Sequence, residues 1–447
     1  MTQIKKTVSI LGGSIGGVIA AGELRKSGVD VTIYEKGSEI GGLYKTVATP
    51  FGEQEFGMHV LYVSPPQLKI INEIFAADEV KILRGIHVDI GAAFANGRIR
   101  LNSHYPSAIG HVRQGEILQQ IVSRPAVTKS SSTAEHEILA RFGTIAGKEI
   151  VLPIIERLWL EAASNLTPES LHCYFDLRRI VACSEGRAAE LKNRPEVDTV
   201  LANPNQFKPS GSVFSGRVGI CFHPESGLLS KRINDWAEKR KIKIKYDADI
   251  SIKDGLLTAC GDSLADNYDG GVIAMPLNAI CDFGGADMDV RQLSIYYLKL
   301  DVDLARCCPA YYVVNQDNSF RISRLVNYDA YSPPVHKSAG SVVAAEALHK
   351  LGDAPSLEDI ESEVEMMFPD FNVEGSFEVK RKLKILSPTL KNKCNLDRLE
   401  KKIKASYAGK PVYFTGMRTD AGVFFSHQTI GAAYQAALDC TERFSRN

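Results

Sequence analysis

Charge of one sign is missing. Fifty-three lysines and arginines balance 53 aspartates and glutamates over 447 residues, so no net field draws a nucleic acid or a membrane surface. Long hydrophobic runs are missing too: no stretch approaches the ~18 uninterrupted apolar residues that span a bilayer. Lys5 and Lys6 precede an apolar stretch in the manner of a signal peptide, but the glycines that follow and the lack of a small-residue cleavage site argue against one. The nine cysteines are scattered, odd in number and without a Cys-x-x-Cys. Free thiols in a reducing cytoplasm are the simplest reading. No metal centre is expected, because His104, His136, His336 and His349 are dispersed and "HEILARF" has no second histidine. There is no internal repeat, and the one segment of reduced complexity, "TKSSSTAEHE" at 128–137, reads as a polar loop before a helix.

What is present is an ordinary globular composition, 44% hydrophobic and 24% charged, in a chain long enough for roughly two to three domains. Its most informative stretch is "SILGGSIGGVIAAGELRKSGVDVTIYEKGSEIGG", residues 9–42. Thr7 to Leu11 reads as a buried strand. Val18 to Lys26 reads as a helix, with Ala20, Ala21 and Leu24 on one face and Gly28 as its stop, and "VDVTIYE" reads as a second strand. Between the first strand and the helix lie Gly12, Gly13, Ser14, Ile15, Gly16 and Gly17. In a dinucleotide turn the first glycine permits the bend, the second lets backbone approach a pyrophosphate and the third lets helix pack on strand. Gly12, Ser14 and Gly17 occupy those places, so serine replaces the middle glycine and brings a hydroxyl. The helix start then offers N–H groups to phosphate. Glu35, followed by Lys36, lies 23 residues beyond Gly12, near the ~20 expected of a ribose-binding carboxylate, and would repel a 2′-phosphate.

Strand signals return at "GGVIAMPL" (270–277) and "KPVYFTGM" (410–417). Between the two ends, 136–163 has helical period and 292–303 alternates like a strand. This spacing predicts a nucleotide-binding domain assembled from separated segments, with a second domain inserted in two pieces.

After Glu35 the chain runs "KGSEIGGLYKT", with Gly41 and Gly42 six and seven residues past the acid. Here it resembles the flavoprotein superfamily of amine oxidases, protoporphyrinogen oxidase and UDP-galactopyranose mutase, in which an acid, a spacer and a Gly-Gly pair precede an arginine and a threonine. Thr46 is present; Leu43 stands where the arginine is usual. "EFGMHVLYVSPPQL" (55–68) is similar to the segment that lays a Gly-x-His against the flavin, here Gly57, Met58 and His59, although Tyr62 stands where the mutases often have a second histidine. "ANGRIRLNSHYP" (95–106) resembles an edge hairpin, and Arg157 with Trp159 resembles a Lys-x-Trp motif. The end of "NDWAEKRKIKIKYDADISI" resembles a strand that passes the adenine, near Ile250. "PVYFTGMRTDAGVFFSHQTIGAAYQAAL" (411–438) resembles the closing cofactor segment, with Gly416 and Met417 at the pyrophosphate and a helix start at Ser426, His427 and Gln428 aimed at the flavin's pyrimidine end.

The resemblance implies FAD as cofactor and an α/β fold: a discontinuous Rossmann-like domain from 1–75, 215–285 and 405–447, and an inserted α+β substrate domain from 76–214 and 286–404 with a mixed or antiparallel sheet. It also implies an FAD-dependent oxidoreductase or flavin-dependent mutase acting on a small molecule. In the first reading the substrate is a sugar nucleotide or related polysaccharide or natural-product precursor reacting at flavin N5. Arg321 in "NSFRIS" would hold its diphosphate by forked hydrogen bonds, and His59 would shape the flavin face. Tyr296 and Tyr311, each in a tyrosine pair, and Trp159 are further substrate candidates. The alternatives are an amine-oxidase-type oxidase or dehydrogenase removing hydride from a C–N or C–C bond, and a noncatalytic flavin-binding protein. NAD(P)H or a separate reductant would reduce the flavin where the chemistry requires it.

Overall fold

In a computed structural model of the chain, residues 5–57, 60–83, 91–124, 131–205, 218–222, 225, 227–253, 256–280, 288–331, 340–380 and 382–446 are described. The first strand, Thr7–Leu11, has the bounds its β-branched apolar run predicts, and the second is Asp30–Tyr34. The helix between them begins at Ile15, three residues before the apolar periodicity starts, and ends at Lys26. Ser14 is its N-cap, and capping rather than periodicity sets that end.

These strands sit in a five-stranded, all-parallel sheet. Across it the order is Lys243–Lys245, Asp30–Tyr34, Thr7–Leu11, Gly270–Ile273 and Val412–Phe414. Segments far apart in sequence therefore build one sheet, whose strand ends meet at the turn after Leu11. The helix Ile15–Lys26 packs on the C-terminal helix Ser426–Arg446 through Gly16, where an added Cβ would lie 3.5 Å from Thr429 O and 3.6 Å from Ala433 Cβ.

A small antiparallel sheet joins Leu61–Val63, Val218–Phe222 and Val80–Leu83. The expected boundary at 75 passes between two of its strands. The larger sheet is mixed, in the order Val373–Glu378, Val290–Leu300, Ser341–His349, Arg324–Asn327, Tyr312–Asn315, Gly91–Ala95, Arg98–Arg100. Its pairs are antiparallel except for Tyr312–Asn315 on Gly91–Ala95, and Leu383–Leu386 adds to the Val290 end. Alternation gives this sheet two faces. Tyr296, Leu298 and Ala345 pack beneath the helix Leu357–Met367. Ile295, Tyr297, Ala344 and Val326 pack with Phe56, Tyr62 and the helical stretch from Ala134 to Trp159.

Among the described residues no helix is long and apolar enough to cross a membrane. The eight described cysteines are free thiols.

Candidate functional site

At the end of the first strand Gly12 takes φ +101°, and a Cβ there would lie 2.9 Å from Met275 Cβ, so the bend needs glycine. A Cβ at Gly17 would overlap Gly12 O, which places the third glycine at a backbone contact between helix and turn. The N–H of Gly13 donates to Glu35 Oε2 at 2.8 Å and the N–H of Gly37 to Oε1 at 2.7 Å. Each oxygen keeps a second lone pair, so the carboxylate is oriented and still able to accept. Ser14 Oγ accepts from the Gly17 N–H and donates to Ala274 O, both at 3.4 Å. Its hydroxyl therefore caps the helix instead of standing free as a phosphate donor. The helix leaves the N–H groups of Ile15 and Gly16 without intrahelical acceptors.

The Gly41–Gly42 turn packs onto this loop: the Gly41 N–H donates to Gly13 O at 2.7 Å, and a Cβ on Gly42 would come within 3.2 Å of Ser14 Cα. Leu43 beside them is exposed. Lys36 Nζ donates to Ala279 O at 2.7 Å. Gly416 closes the opposite side, where a Cβ would overlap Met275 O, while the next residue, Met417, packs on the larger core. Ile250 lies in the core with Leu11 and Tyr34; two residues earlier, the Ala248 N–H donates to Glu35 O at 3.0 Å. The C-terminal helix starts at Ser426 as expected. Gln428 shapes the loop before it: Oε1 accepts from the Phe424 and Phe425 N–H groups at 2.9 and 2.8 Å, and Nε2 donates to Gly422 O at 2.9 Å. The His427 ring stacks on Phe425 at 5.7 Å between centroids and meets Tyr62 edge-on at 6.3 Å.

Met58 and His59 lie outside the described residues, but the segment leading to them is fixed from the larger sheet. Tyr297 Oη donates to Glu55 O at 2.5 Å, Tyr328 Oη is shared between Glu55 O at 3.0 Å and Gly57 O at 3.1 Å, and Tyr331 Oη donates to Glu55 Oε2 at 2.8 Å. Beneath Gly57 lies a carboxylate: a Cβ added there would be 3.1 Å from Glu346 Oε1. Arg324 grips Glu346 with Nε to Oε2 and Nη2 to Oε1, both at 3.0 Å, and Tyr174 Oη donates to Oε2 at 2.7 Å. The Arg324 guanidinium lies 5.0 Å over the Tyr174 ring, which meets Phe424 at 5.8 Å. Burial works against the charge on Arg324, but Glu346 outweighs it and holds the guanidinium above its ordinary pKa. Burial first, then Glu346, pushes the Tyr174 phenol well above its usual range.

The structure does not bring Arg321 to this place. Its side chain is 43% exposed, paired with Asp353 at 3.2 Å, and its N–H donates to Glu363 on the helix Leu357–Met367. Tyr296 points to that same far face, its phenol bonded to Pro355 O at 2.7 Å. Tyr311 is buried on the near face against Tyr331, and Trp159 is fully buried in the same core, its Nε1 without a hydrogen-bond partner among the described residues. Arg157 holds the 315–322 loop through Asn315 O, Phe320 O and Ile322 O. The sequence pointed to Arg321 rather than Arg324, and Tyr174 and Glu346 carried no signal in it; none of Arg324, Tyr174 and Glu346 lies in a recognised motif.

Residues 10–76 match the family described as an NAD(P)-binding Rossmann-like domain. No curated protein matches the sequence. Among solved structures, a reduced UDP-galactopyranose mutase aligns over 97% of this chain and 95% of its own at 13% identity, with a TM-score of 0.63. The two chains share one overall fold. A putative protoporphyrinogen oxidase from Exiguobacterium sp. 255-15 aligns over 98% and 99% of the two chains at 12% identity and a TM-score of 0.58. A putrescine oxidase variant with redesigned cofactor binding aligns over 99% of each chain at 11% identity and a TM-score of 0.52. A mutase and oxidases thus share this fold, and the fold does not choose between their reactions.

Proposed function

We propose that the chain is an FAD-dependent enzyme acting on a small molecule. The observation that carries this reading is the Glu35 carboxylate, held by the Gly13 and Gly37 N–H groups at the rim of a turn from which side chains are excluded at Gly12, Gly17 and Gly416. These residues fit an adenosine diphosphate: Glu35 would accept from the ribose hydroxyls, the Ile15 and Gly16 N–H groups would meet the pyrophosphate, and the Gly416 backbone would approach it from the other side. The start of the C-terminal helix, beside His427, would favour negative charge at the far end of the cofactor. Bound there, FAD supplies hydride acceptance or nucleophilic chemistry at its reactive nitrogen.

Within that reading we place an oxidoreductase ahead of a sugar-nucleotide mutase. The diphosphate contact assigned to Arg321 loses its support, because that guanidinium faces Asp353 on the far side of the larger sheet. Arg324, Arg157 and Arg418 are engaged by Glu346, by loop carbonyls and by Asp397, Glu400 and Asp420 respectively. The discriminating experiment mixes the FAD-loaded protein anaerobically with a panel of amines and other hydride donors, and separately with UDP-sugars before and after dithionite reduction. Bleaching of the flavin absorbance by a donor is the expected outcome. Binding of UDP-sugars to the reduced form, with no donor bleaching the oxidised form, would give the mutase reading instead.

A further inference from the structure

Arg324 and Glu346 stand directly opposite each other on neighbouring antiparallel strands, and both project to the face that carries Gly57. Their side chains are 14% and 1% exposed. A buried ion pair is a poor stabiliser, because desolvation of both charges offsets their attraction, and apolar residues of like volume often serve a fold as well. What sets this pair apart is its place. One carboxylate oxygen lies under the glycine whose segment resembles the flavin-facing one, and Tyr297 of the larger sheet, with Tyr328 and Tyr331 just past its strand Arg324–Asn327, holds that segment in place by bonding Glu55 and Gly57. In so dry a setting a charge acts on its neighbours far more strongly than in water.

We propose that Arg324, Glu346 and Tyr174 form a buried charge pair with a phenol donor that sets the reduction potential of a flavin bound against Gly57. The inference rests on the FAD reading above, extended to the Gly57 segment by its resemblance to the flavin-facing one; the Tyr174 ring also reaches the helix start beside His427 through Phe424 and Phe425. These are positioning residues: Arg324 balances Glu346, and Tyr174 draws charge from the oxygen that Arg324 Nε shares. Adding electrons to the flavin becomes harder as net negative charge under Gly57 grows, and easier as it falls. Removing Arg324 or Glu346 therefore moves the potential in a direction set by the sign of the charge left behind, and removing the Tyr174 donor leaves more negative charge on Glu346 and moves it the same way as removing Arg324. General loosening of the fold has no such sign rule.

The test measures flavin content and midpoint potential, by dye-coupled anaerobic reduction, for the FAD-loaded parent and for Tyr174→Phe, Arg324→Lys, Arg324→Met and Glu346→Gln. Expected are a lower potential for Tyr174→Phe, a larger fall for Arg324→Met, a rise for Glu346→Gln and a value close to the parent for Arg324→Lys. Where the charge variants do not fold, Tyr174→Phe decides alone, because it keeps the ring and both charges. Unmoved potentials at full flavin content, or shifts of one sign across the set, would overturn this proposal and leave the FAD reading standing. A parent that binds no flavin would overturn both.

Discussion

Glu35 is bound twice by backbone N–H groups, so its carboxylate is oriented before any ligand arrives. Glutamine offers one oxygen where two N–H donors converge, and it weakens the ribose contact. With about 1.5–3 kcal/mol for a hydrogen bond to a charged group, Glu35→Gln should loosen FAD by roughly tenfold to a hundredfold, read by equilibrium dialysis; an unchanged dissociation constant would remove Glu35 from the ribose. A second residue makes stability depend on pH. His349 Nδ1 lies 2.7 Å from Lys350 O, which can only accept, and its Nε2 lies 2.9 Å from Ser294 Oγ, an arrangement that suits the neutral ring. Burial lowers its pKa below the usual value. The unfolded chain therefore takes up this proton first. The contribution is complete above about pH 6.5 and is lost as pH falls below it. Melting temperature against pH should decline less on acidification in His349→Gln than in the parent. The residues hardest to read from sequence were those whose meaning depends on where a strand begins. The strand Arg324–Asn327 begins only after a loop held by Arg157 and Glu363, so Arg324 faces Gly57 while Arg321 does not. One step along Val290–Leu300 likewise separates Tyr296, on the far face, from Tyr297, bonded to Glu55.

At the scale of elements, the opening strand, turn, helix and second strand were legible because every constraint on them is local. Their residues are consecutive, and the glycines answer to contacts within the unit or at the adjoining strand ends. Gly17 is the sharpest case. Gly17→Ala would press a methyl into Gly12 O, and relieving it must part the helix from the turn. Overpacking of this kind costs about 1–3 kcal/mol, so a lower melting temperature and faster flavin release are expected together. A lowered melting temperature with unaltered flavin release would separate the turn from cofactor binding. The loop before the C-terminal helix was less legible, because Gln428, expected at the flavin, turns back to bond Phe424, Phe425 and Gly422, and only the folded loop reveals that.

Across the whole molecule, the candidate site draws on two sheets of different kind. The parallel sheet supplies the turn and Glu35; the mixed sheet supplies Tyr297, the carboxylate beneath Gly57 and, just past its strand Arg324–Asn327, Tyr328. The second contribution was only partly legible, since Tyr174, Arg324 and Glu346 converge from segments with no shared pattern. A cofactor spanning both sheets should stabilise the fold by mass action, by about 2.7 kcal/mol at a hundredfold excess over its dissociation constant. The most direct measurement is the flavin stoichiometry of the purified full chain after incubation with FAD and removal of the excess, read from the absorbance released on denaturation. The account predicts close to one FAD per chain and a higher melting temperature than the flavin-free protein. A chain that retains no flavin and melts at the same temperature with and without FAD would contradict it.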